Sequence, residues 1–264
     1  MEPARSQRRC TPGALFSKAK SDGNRTQPQI MKLMTSALLL VSLSAAGSTT
    51  GAQVLFDDHF TGNSGGIPTG WSLGRGTGSA VEAGTTVTLI GELGIGTDST
   101  FDPNQGTDTL TISIAATDSP VAYLSTGFAA SDLTHMLLLR FRPFDPGLEI
   151  SASDTWGETW QTRYLTHLAG YAYGPLTLTL VLGPSEFCVS SDSPAYSSGF
   201  IPYSTAFPAF TRSDLGNACH LALTHGGDPA GQWTSSIDRL RLATDSPTPV
   251  RRHTFGQLKA RYRR

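Results

Sequence analysis

Through the middle of the chain, apolar and polar residues alternate in short runs. Leu110-Thr111-Ile112-Ser113-Ile114 and Leu176-Thr177-Leu178-Thr179-Leu180 keep a strict period of two. That period sends one face of a strand into a core and the other toward water. Further runs of β type fall at 54–60, 85–91, 109–115, 136–141, 148–153, 176–182, 221–224 and 237–243. Threonine is the recurrent polar partner, a residue suited to a half-exposed pleated surface. Clusters of Gly, Pro, Asp and Ser separate the runs, and no helical period emerges between 53 and 246. Roughly ten short strands in a stretch of this length predict an all-β fold, one antiparallel β-sandwich of jelly-roll type. The predicted organisation is a leader over 1–52, one sandwich domain over 53–246 and a tail over 247–264, the two ends disordered or helical.

The ends differ from the middle. Ser36 to Ala46 is an apolar run preceded by Lys32 and followed by small residues through Ala52. It is shorter than the ~18–20 residues needed to span hydrocarbon, so it reads as a secretory signal rather than a membrane anchor. Cleavage is expected at Thr50-Gly51-Ala52 or at Ser44-Ala45-Ala46. Met31 would serve as a start as well as Met1, with 1–30 then an over-extended frame. The mature chain is expected to have no transmembrane span and to be secreted or held at the cell surface.

Charge sharpens this division. The formal net charge of −1 averages unlike parts. Residues 53–246 hold seven Arg, no Lys and 19 acids, a net of −12. Residues 247–264 hold six basic residues and no acid. An acidic body lacks the basic footprint that phosphate binding needs, so no nucleic-acid partner is expected. In the tail, Phe255, Leu258 and Tyr262 share one helical face. The tail resembles the T-[WF]-G-x-[IL]-K-x-x-[YF]-R ends of secreted bacterial proteins, which implies sorting or surface association.

Cys10 precedes the signal, leaving Cys188 and Cys219. In an oxidising compartment the two predict one disulfide closing a loop of about 32 residues, a contribution on the order of 3–4 kcal/mol; two separate buried thiols are the alternative. No CxxC suggests zinc or redox work.

Several motifs then occur in a familiar order. Leu55-Phe56-Asp57-Asp58-His59-Phe60 and Ile67-Pro68-Thr69-Gly70-Trp71 resemble the F-x-D-x-F strand and P-x-G-W turn that open concanavalin A-like and MAM-like jelly rolls of secreted bacterial proteins, the choice-of-anchor type. Leu137–Phe141 and Leu148–Trp160 resemble the paired central strands. His167–Tyr171 resembles the link that follows them, and Gln232–Leu242 the closing W-x-I-D-x-V-x-V strand. The resemblance implies an adhesive, sugar-binding or accessory module. It also implies a structural Ca²⁺ at Asp57, Asp58 and Asp238, hard oxygen donors that suit this ion. Asp98, Asp102, Asn104 and Asp108 form a second acidic cluster; capping of turns is the alternative for both.

Catalytic patterns are weaker. Gly62-Asn63-Ser64-Gly65-Gly66 copies the text around a protease nucleophile but has no upstream barrel to supply a His base and its Asp, so it reads as a turn. Glucanases of this superfamily place E-x-D-x-x-E on one strand. Here Ser151 stands where the Asp would be, and Asp154 falls out of phase with Glu149. An enzyme would still need two acids around one groove, Glu149 with Glu158 or Asp154. Ser153–Trp160 is an imperfect Asp-box, usually a structural hairpin. Trp156, Tyr171, Tyr173, Tyr196 and Tyr203 are candidates for a sugar platform, while Trp71, Trp160 and Trp233 are expected in the core. The reading is a secreted, non-catalytic module binding a glycan or a surface protein. The alternatives are a divergent carbohydrate-active hydrolase or lyase, or a structural surface protein.

Overall fold

The structure is a computed structural model. It describes residues 52–104, 106–118, 121–155, 159–226 and 233–245, the side chains at 154 and 155 excepted. The expected leader, signal, C-terminal tail, Cys10 and Trp156 lie outside the described residues.

The strands, in chain order, are β1 (Gln53–Asp58), β2 (Trp71–Gly76), β3 (Ser79–Ala83), β4 (Thr86–Ile90), β5 (Leu93–Thr97), β6 (Asp108–Thr117), β7 (Tyr123–Ala130) and β8 (Met136–Arg142). They continue as β9 (Gly147–Thr155), β10 (Thr159–His167), β11 (Leu176–Leu182), β12 (Glu186–Asp192), β13 (Ala195–Ser197), β14 (Ile201–Pro202), β15 (Cys219–Gly226) and β16 (Thr234–Thr244). All pair antiparallel in two sheets. One has the order β10-β9-β8-β7-β15-β5-β2. The other runs β13-β12-β11-β6-β16-β4-β3, with β1 beside β16 and β14 beside β12. The predicted all-β antiparallel sandwich is therefore what the chain forms.

Its core is built by alternation. Leu110, Ile112 and Ile114 of β6 register with Leu180, Leu178 and Leu176 of β11, and all are buried. From the opposite sheet Leu137, Leu139 and Phe141 of β8 and Leu148 and Ile150 of β9 enter the same core. The segment after β12 closes one end. A single helical turn α1 (Tyr203–Ala206) and a 3₁₀ turn (Arg212–Leu215) flank Phe207 and Phe210. Phe187, Tyr203, Phe207 and Phe210 pack ring against ring at centroid distances of 5.6–6.4 Å.

The opening motifs are coupled. The indole Nε1 of Trp71 donates to Asp58 Oδ2 at 2.8 Å, and Phe60 N donates to Asp58 Oδ1 at 2.7 Å. The Gly62–Gly66 stretch is a turn around Glu82, whose buried carboxylate accepts from Gly62 N at 2.9 Å and Ser64 N at 3.1 Å. The Ser64 hydroxyl bonds Gly66 O and Ile67 O, both at 3.1 Å.

The expected Cys188–Cys219 disulfide is not formed. Cys219 is a free, buried thiol that opens β15, and its Sγ lies 3.3 Å from Phe101 O. Cys188 sits on β12 of the other sheet, in register with Val181. The two cysteines thus stand on strands of different sheets.

Candidate functional site

Strand β8 reads Met136-Leu137-Leu138-Leu139-Arg140-Phe141-Arg142. The odd positions enter the core, so Met136, Leu138, Arg140 and Arg142 face out. Register carries this face across the sheet. Arg140 stands opposite Glu149 of β9 and Ser125 of β7, and Glu149 stands opposite Tyr164 of β10. Leu138 aligns with Ser151 and Gly127, and Met136 with Ser153 and Ala129. Met136, Leu138, Ala129 and Ala222 form a second buried apolar cluster, separate from the sandwich core, with Trp160 packed on it.

The polar half of this face is an ion cluster. Arg142 Nη1 donates to Glu149 Oε1 at 2.9 Å, and Arg140 Nη1 lies 4.0 Å from Glu149 Oε2. The guanidinium of Arg140 stacks 5.0 Å from the Tyr123 ring centroid and 5.8 Å from that of Trp160. Two glycines accommodate the rings: a Cβ on Gly226 would fall 2.3 Å from Tyr123 Cζ, and one on Gly147 would fall 3.0 Å from Tyr164 Cε2. Gly147 is also the cross-strand partner of Arg142, so the Tyr164 ring covers the backbone position opposite that arginine. Tyr164 is 50% exposed and the Arg142 side chain 41%, which leaves both open to a ligand. This combination of rings, guanidiniums and one carboxylate can stack a pyranose and hydrogen-bond its hydroxyls.

The aromatic candidates from the sequence do not gather here. Tyr171 is buried against Phe141, its hydroxyl donates to Gly174 O at 2.9 Å, and burial pushes its pKa up to about 12. Tyr203 is buried in the closing aromatic cluster, and burial raises its pKa too. Tyr196 is half-buried on β13 and bonds Leu165 O. Tyr173 is exposed beside Tyr171. Trp71 is a core residue as expected, whereas Trp160 lies on the outer face, set there by its register with Ser153. Sequence reasoning missed Tyr123, Arg140, Arg142 and Tyr164. The signal was the Arg-Phe-Arg alternation that ends β8.

The proposed calcium ligands do not converge. Asp57 takes Arg239 in a bidentate pair at 2.7 and 2.6 Å, with Arg241 at 4.0 Å and His59 at 3.4 Å. The Arg239 hydrogen bonds hold its pKa below the ordinary carboxylate value. Asp58, next along the strand, is committed to Trp71. Asp238 lines a shallow depression with His59 and Arg239. In the second cluster Asp108 pairs with Arg212, Asp98 accepts from Ser72 Oγ at 2.6 Å and Asp102 accepts from Asn104 N at 2.9 Å. Among the described residues no three His, Cys, Asp or Glu side chains lie close enough to hold a metal. No helix among the described residues is long and apolar enough to cross a membrane.

No family model matches this sequence, and no curated protein matches it. Solved structures match its fold. SCLam, a non-specific endo-β-1,3(4)-glucanase from family GH16, superposes with a TM-score of 0.52 at 10% identity, covering 74% of this chain and 92% of that one. The endo-β-1,3-glucanase from Pyrococcus furiosus gives 0.55 at 11%, covering 73% and 94%. An inactivated mutant of β-agarase B in complex with agaro-octaose gives 0.54 at 10%, covering 74% and 94%. The chain therefore shares the concanavalin A-like jelly-roll fold of these enzymes.

Proposed function

We propose that this protein is a carbohydrate-active β-sandwich that receives a glycan on the outer face of its seven-stranded sheet. One observation carries the reading: Tyr123, Trp160 and Tyr164 gather with Arg140, Arg142 and Glu149 on one sheet face. Fold neighbours that are glucanases, and one that holds agaro-octaose, support it and weigh toward a divergent hydrolase over a purely adhesive module. In that role Glu149 is one of the two acids a glycosidase needs; the side chains of Asp154 and Glu158 lie outside the described residues. Binding without cleavage is the second reading, favoured by the engagement of Glu149 with two arginines. The leader's signal-like run supports export, and the ordered motifs support a choice-of-anchor or MAM-like relationship.

The test is affinity electrophoresis of the full chain through gels containing β-1,3-glucan, mixed-linkage glucan, agarose or polygalacturonate, with reducing ends assayed in parallel. Retardation abolished by Trp160→Ala, with new reducing ends lost in Glu149→Gln, supports the hydrolase. Retardation without new reducing ends supports binding alone. No retardation and no cleavage on any of these polymers overturns the glycan reading.

A further inference from the structure

The outer face is basic within an acidic body. Of the seven arginines between 53 and 246, Arg212 is locked in the interior against Asp108, and Arg239 and Arg241 face Asp57. Arg140 and Arg142 share one acid, Glu149. Among the described outward positions of β7 to β10, Glu149 is the one carboxylate, so one positive charge stays over on this face. Arg140 approaches Glu149 only to 4.0 Å, and its Nε is buried with no hydrogen-bond partner. The Oγ of Ser125, opposite it, is buried and unpartnered as well. Unpaired donors of this kind are costly unless a ligand satisfies them.

Resting on the glycan reading above, we propose that the glycan carries an acidic group, a carboxylate or a sulfate ester, bound by Arg142 with Arg140. The layout fits that chemistry. The Tyr164 ring is exposed for a pyranose face and covers Gly147, the cross-strand partner of Arg142, whose Nη1 lies on Glu149 Oε1. Guanidinium forks match planar carboxylates and sulfate oxygens with paired hydrogen bonds, and a neutral sugar offers no such partner. Glu149 then competes with the ligand's acid for the same donors.

The test is titration of the full chain with polygalacturonate for the carboxylate, dextran sulfate for the sulfate ester and dextran as the neutral polymer. The expected result is binding to one anionic polymer and weak binding to dextran. Arg142→Gln is expected to weaken it about tenfold, the loss of one charge-assisted contact. Glu149→Gln is expected to strengthen it several-fold by removing the competitor. Arg263→Gln, in the basic tail, makes the same charge change elsewhere. Equal losses in Arg142→Gln and Arg263→Gln would place binding on the tail and overturn the proposal. Equal or tighter binding of dextran, insensitive to Arg142→Gln, overturns it while leaving the glycan reading intact. No binding to any of these three polymers overturns it too, and the glycan reading falls with it only if β-1,3-glucan, mixed-linkage glucan and agarose also leave the chain unretarded.

Discussion

The Nη2 of Arg212 lies 2.7 Å from Oδ2 of Asp108, with both side chains almost wholly buried and 104 residues apart in the chain. Arg212 Nη1 also donates to Gly106 O at 2.6 Å, which ties the closing 3₁₀ turn to the start of β6. Burial pushes the Asp108 pKa up to about 6, against the lowering effect of Arg212. The native state therefore holds a proton here more tightly than the unfolded chain, and this carboxyl's contribution to stability falls as pH rises from about 4 to about 6. The size is on the order of 2–3 kcal/mol. Asp108→Asn is expected to flatten that part of the urea-midpoint profile. Because it leaves the Arg212 charge buried and unpaired, it is also expected to cost about 3–5 kcal/mol at pH 7. A profile unchanged by the substitution would exclude this assignment.

His225 works in the opposite sense. Its Nδ1 donates to Gly91 O at 2.6 Å, its Nε2 is buried without a partner, and burial lowers its pKa. A lowered imidazole pKa stabilises the fold above the unfolded value of about 6.5 and loses that contribution as pH falls below it. NMR titration of the His225 ring is expected to show it taking up its proton at lower pH in the native protein than in the unfolded chain.

The turn at 62–66 depends on Glu82. A Cβ on Gly62 would fall 2.7 Å from Glu82 Oε2. Gly62→Ala displaces that carboxylate, and Glu82→Ala leaves two turn amides without acceptors. Each is expected to lower stability by about 1–3 kcal/mol in denaturant titrations, with the sandwich intact by circular dichroism.

Cys219 is shut away from reagents, and burial raises its thiol pKa well above the usual value. Alkylation under native conditions at pH 8, followed by peptide mapping, is expected to leave Cys219 unmodified, whereas alkylation in denaturant labels it. Recovery of a Cys188–Cys219 cross-linked peptide would contradict the structure.

Much of the sandwich was legible because amphipathic alternation is a local property. The runs around Leu110–Ile114, Met136–Phe141 and Leu176–Leu180 became β6, β8 and β11. The strand β7, Tyr-Leu-Ser-Thr-Gly-Phe-Ala-Ala, was hidden. Its outward Ser125, Gly127 and Ala129 are as buried as its inward residues, so polarity does not alternate along it. Two of the aromatic candidates, Tyr171 and Tyr203, were misplaced for a related reason. Composition marks a ring as able to stack on sugar, but burial is set by which strand lies opposite, and Tyr171 and Tyr203 face the core.

The sequence alone determined the all-β architecture, the acidic body and the coupling of hydrophobic faces, because these follow from period-two patterning and from counting charges. Only the tertiary structure decided which residues meet. Inter-strand register set Arg140 against Glu149 and Glu149 against Tyr164, and the sheet order put Cys188 and Cys219 in different sheets. Register depends on hydrogen-bonded pairing between segments distant in the chain, and no single run of sequence carries that information.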